Sequence, residues 1–151
     1  MEGVNQSLTP EPGSLYVVAT PIGNLADLTE RARSLLEKVS FVACEDTRVS
    51  GGMLSKLEIK NRLVSYHDKN EHTMAISIAD RLANGESVAL ISDAGTPAVS
   101  DPGFRLTRQC HARSIPVIPV PGPCAATTIL SASGLPSNGF LFVGFLPPKS
   151  T

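Results

Sequence analysis

The sequence predicts an α/β fold built on a five-stranded, mostly parallel sheet with helices on both faces. Three observations carry this reading. Short apolar runs rich in Val, Ile and Leu recur along the chain, stretches with helical spacing of apolar residues separate them, and Gly, Pro, Asn or Asp punctuates the joins. Strands that alternate with helices cannot pair as tight hairpins, so they run parallel and are covered on both sides.

Leu15-Tyr16-Val17-Val18-Ala19 reads as the first buried strand. Leu28, Ala32, Leu35, Leu36 and Val39 then share a helical face, with Asp27 and Glu30 placed as a capping-box pair. Phe41-Val42-Ala43-Cys44 is the second strand, and a helix follows around Gly52–Leu57, opened by two glycines. Leu63-Val64-Ser65-Tyr66 is the third, and Met74, Ile78 and Leu82 mark a helix that ends near Gly85. Val88–Ile91 is the fourth strand. Asp101 as N-cap and Pro102 at the first helical position start the next helix, which runs to Arg113. Pro116–Val120 is the fifth strand. Beyond it a helix is expected from Pro123 to Gly134, then an apolar strand over Phe140–Leu146.

These elements divide the chain into a polar tail over residues 1–13, an α/β domain over 14–121, and the first helix and strand of a truncated second domain over 122–151. The tail holds two prolines and no periodicity, the pattern of a mobile segment. A hydrophobic fraction of 42% and a charged fraction of 18% are those of a globular protein. Thirteen basic against fourteen acidic residues give a net charge of -1, so no global field draws nucleic acid to the molecule. Any such contact is local, and the densest basic stretch is Lys56, Lys60, Arg62 and Lys69, with Arg31, Arg33 and Arg48 upstream. Cys44, Cys110 and Cys124 form no C-x-x-C and read as free thiols in a reducing compartment. With no apolar run of about 20 residues and no signal-like start, a cytoplasmic protein with no membrane contact is expected.

The polar residues with chemical potential sort to one edge of the sheet. Thr20–Asn24, Glu45–Arg48, His67-Asp68, Asp93–Pro97 and Pro121–Pro123 each follow a strand C-terminus, the ligand-binding side of an open α/β sheet. Neither G-x-G-x-x-G nor G-x-x-x-x-G-K-[ST] occurs. Pro97, Pro119, Pro121 and Pro123 remove N–H donors while leaving carbonyl acceptors, so this rim suits an uncharged or cationic ligand, such as a sulfonium, better than a phosphate. Glu45, Asp46 and Arg48 put two carboxylates and a guanidinium within four residues. They could orient or deprotonate a hydroxyl, or simply complement a helix dipole. His67 is a candidate hydrogen-bonding group; with His72 it lacks helical ligand spacing, and no metal site is expected. No G-x-S-x-G elbow is present, and Cys44 lies inside an apolar strand.

Five motifs in order resemble one family. Ala19-Thr20-Pro21-Ile22-Gly23-Asn24-Leu25 with Asp27, Thr29 and Arg31-Ala32, then Cys44-Glu45-Asp46-Thr47-Arg48, Ser92–Gly103, Val120-Pro121-Gly122-Pro123 and Gly144-Phe145-Leu146-Pro147 are similar to the ribosomal RNA small subunit methyltransferase I family, within the tetrapyrrole-methylase fold group. The resemblance runs from Leu15 to Pro148, about the first half of a usual member. It departs at Ser50-Gly51-Gly52-Met53, where a Thr-containing segment is usual, and at Cys124, where a small hydroxyl residue is common.

The resemblance implies methyl transfer from S-adenosylmethionine to the 2′-hydroxyl of a cytidine ribose in small-subunit (16S) ribosomal RNA, by a homodimer. Gly95, Thr96, Pro97, Val99 and Ser100 would hold the cofactor, with Pro21 opposite and Cys124, Ala125, Phe142 and Gly144 joining from the second domain. Glu45, Asp46, Arg48 and His67 would face the RNA, with Asp46 or Glu45 as base. The 151 residues alone are expected to bind cofactor weakly and to be inactive. The alternatives are a sibling that methylates a tetrapyrrole carbon, and a non-catalytic domain that binds RNA or a protein partner.

Overall fold

The chain is described here by a computed structural model covering residues 9–145. Strands β1 (Leu15–Val18), β2 (Phe41–Cys44), β3 (Leu63–Ser65), β4 (Val88–Ile91) and β5 (Val117–Val120) form one sheet in the order β3-β2-β4-β1-β5. Every neighbouring pair is parallel. Helices α1 (Glu30–Lys38), α2 (Thr47–Lys56), α3 (Glu71–Ala83), α4 (Phe104–Ala112) and α5 (Ala125–Ala132) follow strands in turn, as the alternating pattern predicts.

Strand periodicity divides the core in two. Tyr16, Val18, Val42, Cys44, Ala89 and Ile91 point to one face, where Ala32, Leu35 and Leu36 of α1 and Leu54 of α2 cover them. Leu15, Phe41, Ala43, Val88 and Leu90 point to the other, under Ile78 and Leu82 of α3 and Leu106 and Cys110 of α4. Leu36 is fully buried, so cutting it to alanine costs about 2–5 kcal/mol.

This division follows from the strand order. The chain steps from β1 to β2 to β3 toward one edge, then from β3 to β4 to β5 toward the other. Because such crossovers share one hand, the change of direction moves the helices to the opposite face. It also opens a crevice between adjacent β2 and β4, whose connections diverge.

Several boundaries differ from the expected ones, each for a local reason. Thr29, not Asp27, is the N-cap of α1, its hydroxyl accepting from Ala32 N at 3.1 Å; Asp27 sits in a 3-10 turn over Leu25–Asp27. Helix α2 starts at Thr47 because the Asp46 carboxylate accepts from Arg48 N at 2.8 Å, which outweighs the weak propensity of Gly51 and Gly52. Helix α4 starts at Phe104 rather than Pro102, and Asp101 does not cap it. Helix α5 starts at Ala125 rather than Pro123. The expected strand over Phe140–Leu146 is absent from 140 to 145, where the chain is irregular and mostly exposed; Leu146 lies outside the described residues. A strand requires a partner for its backbone, and no described segment pairs with this one. Of the tail, residues 9–13 are described, and Glu11 N donates to the Tyr16 hydroxyl at 2.8 Å.

Candidate functional site

The loops after β1 and β4 are joined at the rim of the crevice. Thr20 and Gly95 exchange backbone hydrogen bonds of 2.9 and 3.1 Å, and the buried Thr20 hydroxyl donates to the Ser92 carbonyl at 3.2 Å. Beyond this bridge the β4 loop is strained. Ala98 and Ser100 stand at φ 65° and 60°, left-handed conformations that cost a residue other than glycine about 1–3 kcal/mol each. Gly103, at φ 149°, has no alternative, since a Cβ there would lie 2.9 Å from that of Ala98 and 3.1 Å from Leu90 Cδ2. Strain of this kind persists only where surrounding contacts enforce it, and it clusters at ligand-binding loops.

Two clefts meet the loop after β4, one at Asp93 and the other between Ala94 and Asp101. The first is polar, about 490 Å³, and lies beyond the C-terminal ends of β2 and β3, reaching Asp93 after β4 at the crevice. Glu45, Asp46, Arg48 and His67 all line it, as do Asp68, Lys69 and Asp93. Asp93 bridges the crevice by accepting from Asp46 N at 3.2 Å. Sequence reading placed Asp93 in a rim loop but gave it no role. Strand register supplies the signal, because Cys44 pairs with Ile91 and the residues two positions beyond each, Asp46 and Asp93, therefore meet.

The two neighbouring carboxylates have opposite electrostatics. Asp46 chelates Arg48, whose Nη2 is 2.8 Å from Oδ2, and this side-chain hydrogen bond, with that from Arg48 N, lowers its pKa to about 2. The Glu45 carboxyl is pushed above its ordinary value, first by burial and then by the negative charges of Asp93, Asp101 and Asp68, against a smaller opposing effect of His67. His67 Nδ1 is buried without a hydrogen-bond partner, an orphaned polar atom on a wall of this cleft. Among the described residues no group of three or more His, Cys, Asp and Glu side chains is arranged to hold a metal ion.

The second cleft is mostly apolar and about 280 Å³. It gathers Gly95, Thr96, Val99, Ser100, Cys124, Ala125 and Phe142, together with Ile22, Asp101 and Phe145. Gly144 adjoins it, since a Cβ there would approach Ser100 Oγ to 3.3 Å. Thr96 fastens the two sides by donating to the Pro123 carbonyl at 3.1 Å. No Lys or Arg lines this cleft, and its one carboxylate is Asp101, whose pKa burial raises. The rim is not donor-free, however. The first amides of α5 emerge here and draw the Cys124 thiol below its ordinary pKa, Thr127 N having the largest effect.

Pro21 stands apart from this cleft and lines a third groove, between the turn after β1 and α2. Pro97 belongs to the same loop as Gly95 and Thr96 but does not line the cleft. Pro119 lies in edge strand β5, where its missing N–H disrupts no ladder and its carbonyl accepts from Arg31 Nη2 at 3.0 Å.

Comparison with known proteins gives this rim a context. The family profile described as Tetrapyrrole (Corrin/Porphyrin) Methylases matches residues 14–150. The chain belongs to that family. Among individual proteins, the chain is 51% identical over 146 residues to the ribosomal RNA small subunit methyltransferase I of Escherichia coli O157:H7, covering 97% of this chain and 51% of the relative. It is 54% identical over 138 residues to the protein of that name from Pasteurella multocida, covering 91% of this chain and 49% of that protein. The chain thus spans about half the length of the curated relatives it matches. A solved structure, uroporphyrin-III-C-methyltransferase from Thermus thermophilus, aligns over 82% of this chain and 53% of its own, with a TM-score of 0.62 and 28% identity. The parallel α/β sheet is the family's architecture. No helix among the described residues is long and apolar enough to cross a membrane.

Proposed function

We propose that this tetrapyrrole methylase serves S-adenosylmethionine-dependent 2′-O-methylation of a cytidine ribose in small-subunit ribosomal RNA, in the cytoplasm and as a homodimer. The observation that carries the reading is the pairing of two unlike clefts that share the loop after β4, in a chain about half identical to proteins named ribosomal RNA small subunit methyltransferase I. The residues of the second cleft fit the methyl donor. Val99, Phe142 and Ile22 offer apolar surface to a purine, the α5 amides offer donors to a carboxylate, and the absence of Lys and Arg favours a cationic sulfonium. At about 280 Å³ the cleft is at the small end of ligand sites, roughly 300–1,000 Å³, so it accommodates part of a folded cofactor. On this proposal, residues 14–121 hold the methyl-acceptor cleft, and residues 122–151 open a second domain that supplies the remaining cofactor contacts. The 151 residues alone then bind the cofactor weakly and transfer little methyl.

When bound, S-adenosylmethionine supplies an electrophilic methyl carbon on a sulfur that leaves as a neutral thioether. The polar cleft holds the acceptor. Glu45, whose raised pKa brings it closer to neutrality than Asp46, takes the ribose hydroxyl proton as the carbon–oxygen bond forms. Asp46 stays ionised and fixes the exposed Arg48 for the RNA backbone. His67 stands on the wall of this cleft, beside the nucleotide. Alignment of the oxygen behind the methyl carbon contributes much of the rate, about 7–11 kcal/mol when it is good.

The test offers methyl-labelled S-adenosylmethionine, with 30S subunits and a corrinoid precursor side by side, to the chain and to a form extended to the relatives' length. Label on a ribose of the 30S RNA, strongest with the extended form, is expected. Label on the corrinoid alone supports tetrapyrrole methylation, the reading favoured by the T. thermophilus neighbour; at 28% identity that likeness is weaker than the 51% to the rRNA enzyme. No binding of adenosylmethionine by the extended form in calorimetry overturns both and leaves a non-catalytic binding domain.

A further inference from the structure

The glycine pair in α2 has no role in the reactions above, and the two glycines differ. A Cβ on Gly51 would lie 3.5 Å from Leu63 Cδ1, an ordinary contact against β3. A Cβ on Gly52 would meet nothing within 4 Å. Glycine inside a helix is unfavourable relative to alanine, and no close approach of the protein's own atoms requires it at position 52.

Gly52 lines the third groove, a trough of about 620 Å³ between the turn after β1 and α2. Arg48, Gly52 and Lys56 fall at i, i+4 and i+8, so they form one row along the helix, with the Cα atoms of Arg48 and Lys56 about 12 Å apart along its axis and a gap between them. Lys56 is exposed and makes no ion pair among the described residues; Arg48 is exposed, its Nε and Nη2 held by the Asp46 carboxylate and its Nη1 without a partner among the described residues. Exposed Leu25 and Val49 add apolar surface on either wall. The trough joins the polar cleft, because Arg48 and Asp93 line both.

The geometry points to this trough as the path of single-stranded RNA adjoining the target nucleotide, with phosphates at Arg48 and Lys56 and the strand lying against α2 where Gly52 carries no side chain. Leu25 and Val49 contact a sugar or base face. The inference rests on RNA being the substrate, and it specifies where the neighbouring nucleotides run. Cations spaced along a groove with apolar contact between them are the usual features of single-strand binding.

The experiment measures anisotropy of a short fluorescein-labelled, cytidine-containing single-stranded RNA across a salt series, with thermal melting of every variant. Gly52→Ala and Gly52→Leu are expected to melt no lower than the parent, because both residues favour helix and enter open space. Gly52→Leu is nevertheless expected to weaken RNA binding about tenfold or more, and G52E further. Lys56→Ala reduces the magnitude of the log-affinity against log-salt slope by about 0.7, the contribution of one phosphate on a single strand. Ser55→Ala, which lines the neighbouring groove against β3 and not the trough, controls for helix stabilisation and leaves RNA affinity unchanged. A stably folded Gly52→Leu protein that binds RNA as tightly as the parent overturns the assignment. A parent that binds no RNA at any salt overturns instead the substrate reading beneath it.

Discussion

Glu45 and Asp46 are adjacent in sequence and opposite in chemistry. Asp46 spends its oxygens on Arg48 and on the first turn of α2, which leaves Glu45 as the carboxylate able to accept a proton. Glu45→Gln is therefore expected to lower kcat by about 10²–10⁴-fold in methyl-transfer assays. Its folded pKa is raised, so the folded state binds the proton more tightly and the favourable contribution present at low pH is lost as pH rises through that value. Glu45→Gln should then melt no lower than the parent at neutral pH, whereas loss of a merely structural carboxylate would lower Tm. The same shift places the acid limb of kcat/KM above the ordinary glutamate value of about 4.3. In Asp93→Asn, whose Oδ1 can still accept from Asp46 N, one negative charge is removed and that limb moves to lower pH. A pH–rate profile identical to the parent's would remove Asp93 from the account. The motif itself was legible in sequence, down to its two carboxylates and guanidinium. Which carboxylate has the raised pKa was not, because burial and the charges of Asp93, Asp101 and Asp68 reach Glu45 only through the fold.

Capping shows the same contrast between elements. Asp46 and Thr29 cap their helices from the adjoining residue, a local signature, although the expected cap of α1 was Asp27, two positions earlier, and α2 was expected only from around Gly52. The start of α4 is capped from elsewhere. Gly103 N and Arg105 N donate to Glu71 Oε1 at 3.1 and 3.2 Å, and Leu106 N donates to the Tyr66 hydroxyl, which itself donates to Glu71 at 2.9 Å. A cap lying 32 positions away leaves no local signature, so Asp101-Pro102 was the more plausible start in sequence. Burial raises the Glu71 pKa, but these donors and Arg105 outweigh it and the net shift is downward. Its stabilisation is thus present above the ordinary glutamate value and fades as pH falls through the lowered one. Glu71→Ala should cost about 1–2 kcal/mol in denaturant unfolding. Glu71→Gln should make the acid side of the stability curve shallower. Because the cap anchors the strained loop of the second cleft, both variants should also weaken adenosylhomocysteine binding in calorimetry.

At the scale of the molecule, the strands and their parallel sense were legible because propensity and alternation are local; the order β3-β2-β4-β1-β5 is not, since nothing within a strand names its neighbour. The loops beyond the strand ends were assigned to one rim in sequence, yet their division into separate clefts depends on that order. The Phe140–Phe145 segment marks the same boundary. Its composition is that of a strand, but composition supplies only half of a ladder. Leu141 and Val143 are 85% and 72% exposed, while neighbouring Phe142 turns into the apolar cleft. Exposed side chains gain nothing from burial, and their contiguous apolar surface favours association. Replacing Leu141 and Val143 together by serine should therefore leave unfolding free energy within about 0.5 kcal/mol of the parent, in contrast to Leu36→Ala in the core. The same variant should bind less anilinonaphthalene sulfonate and self-associate at higher concentration in sedimentation velocity. A fall in stability of 2 kcal/mol or more, on the scale of a buried residue, would instead show that these side chains pack against the domain in solution.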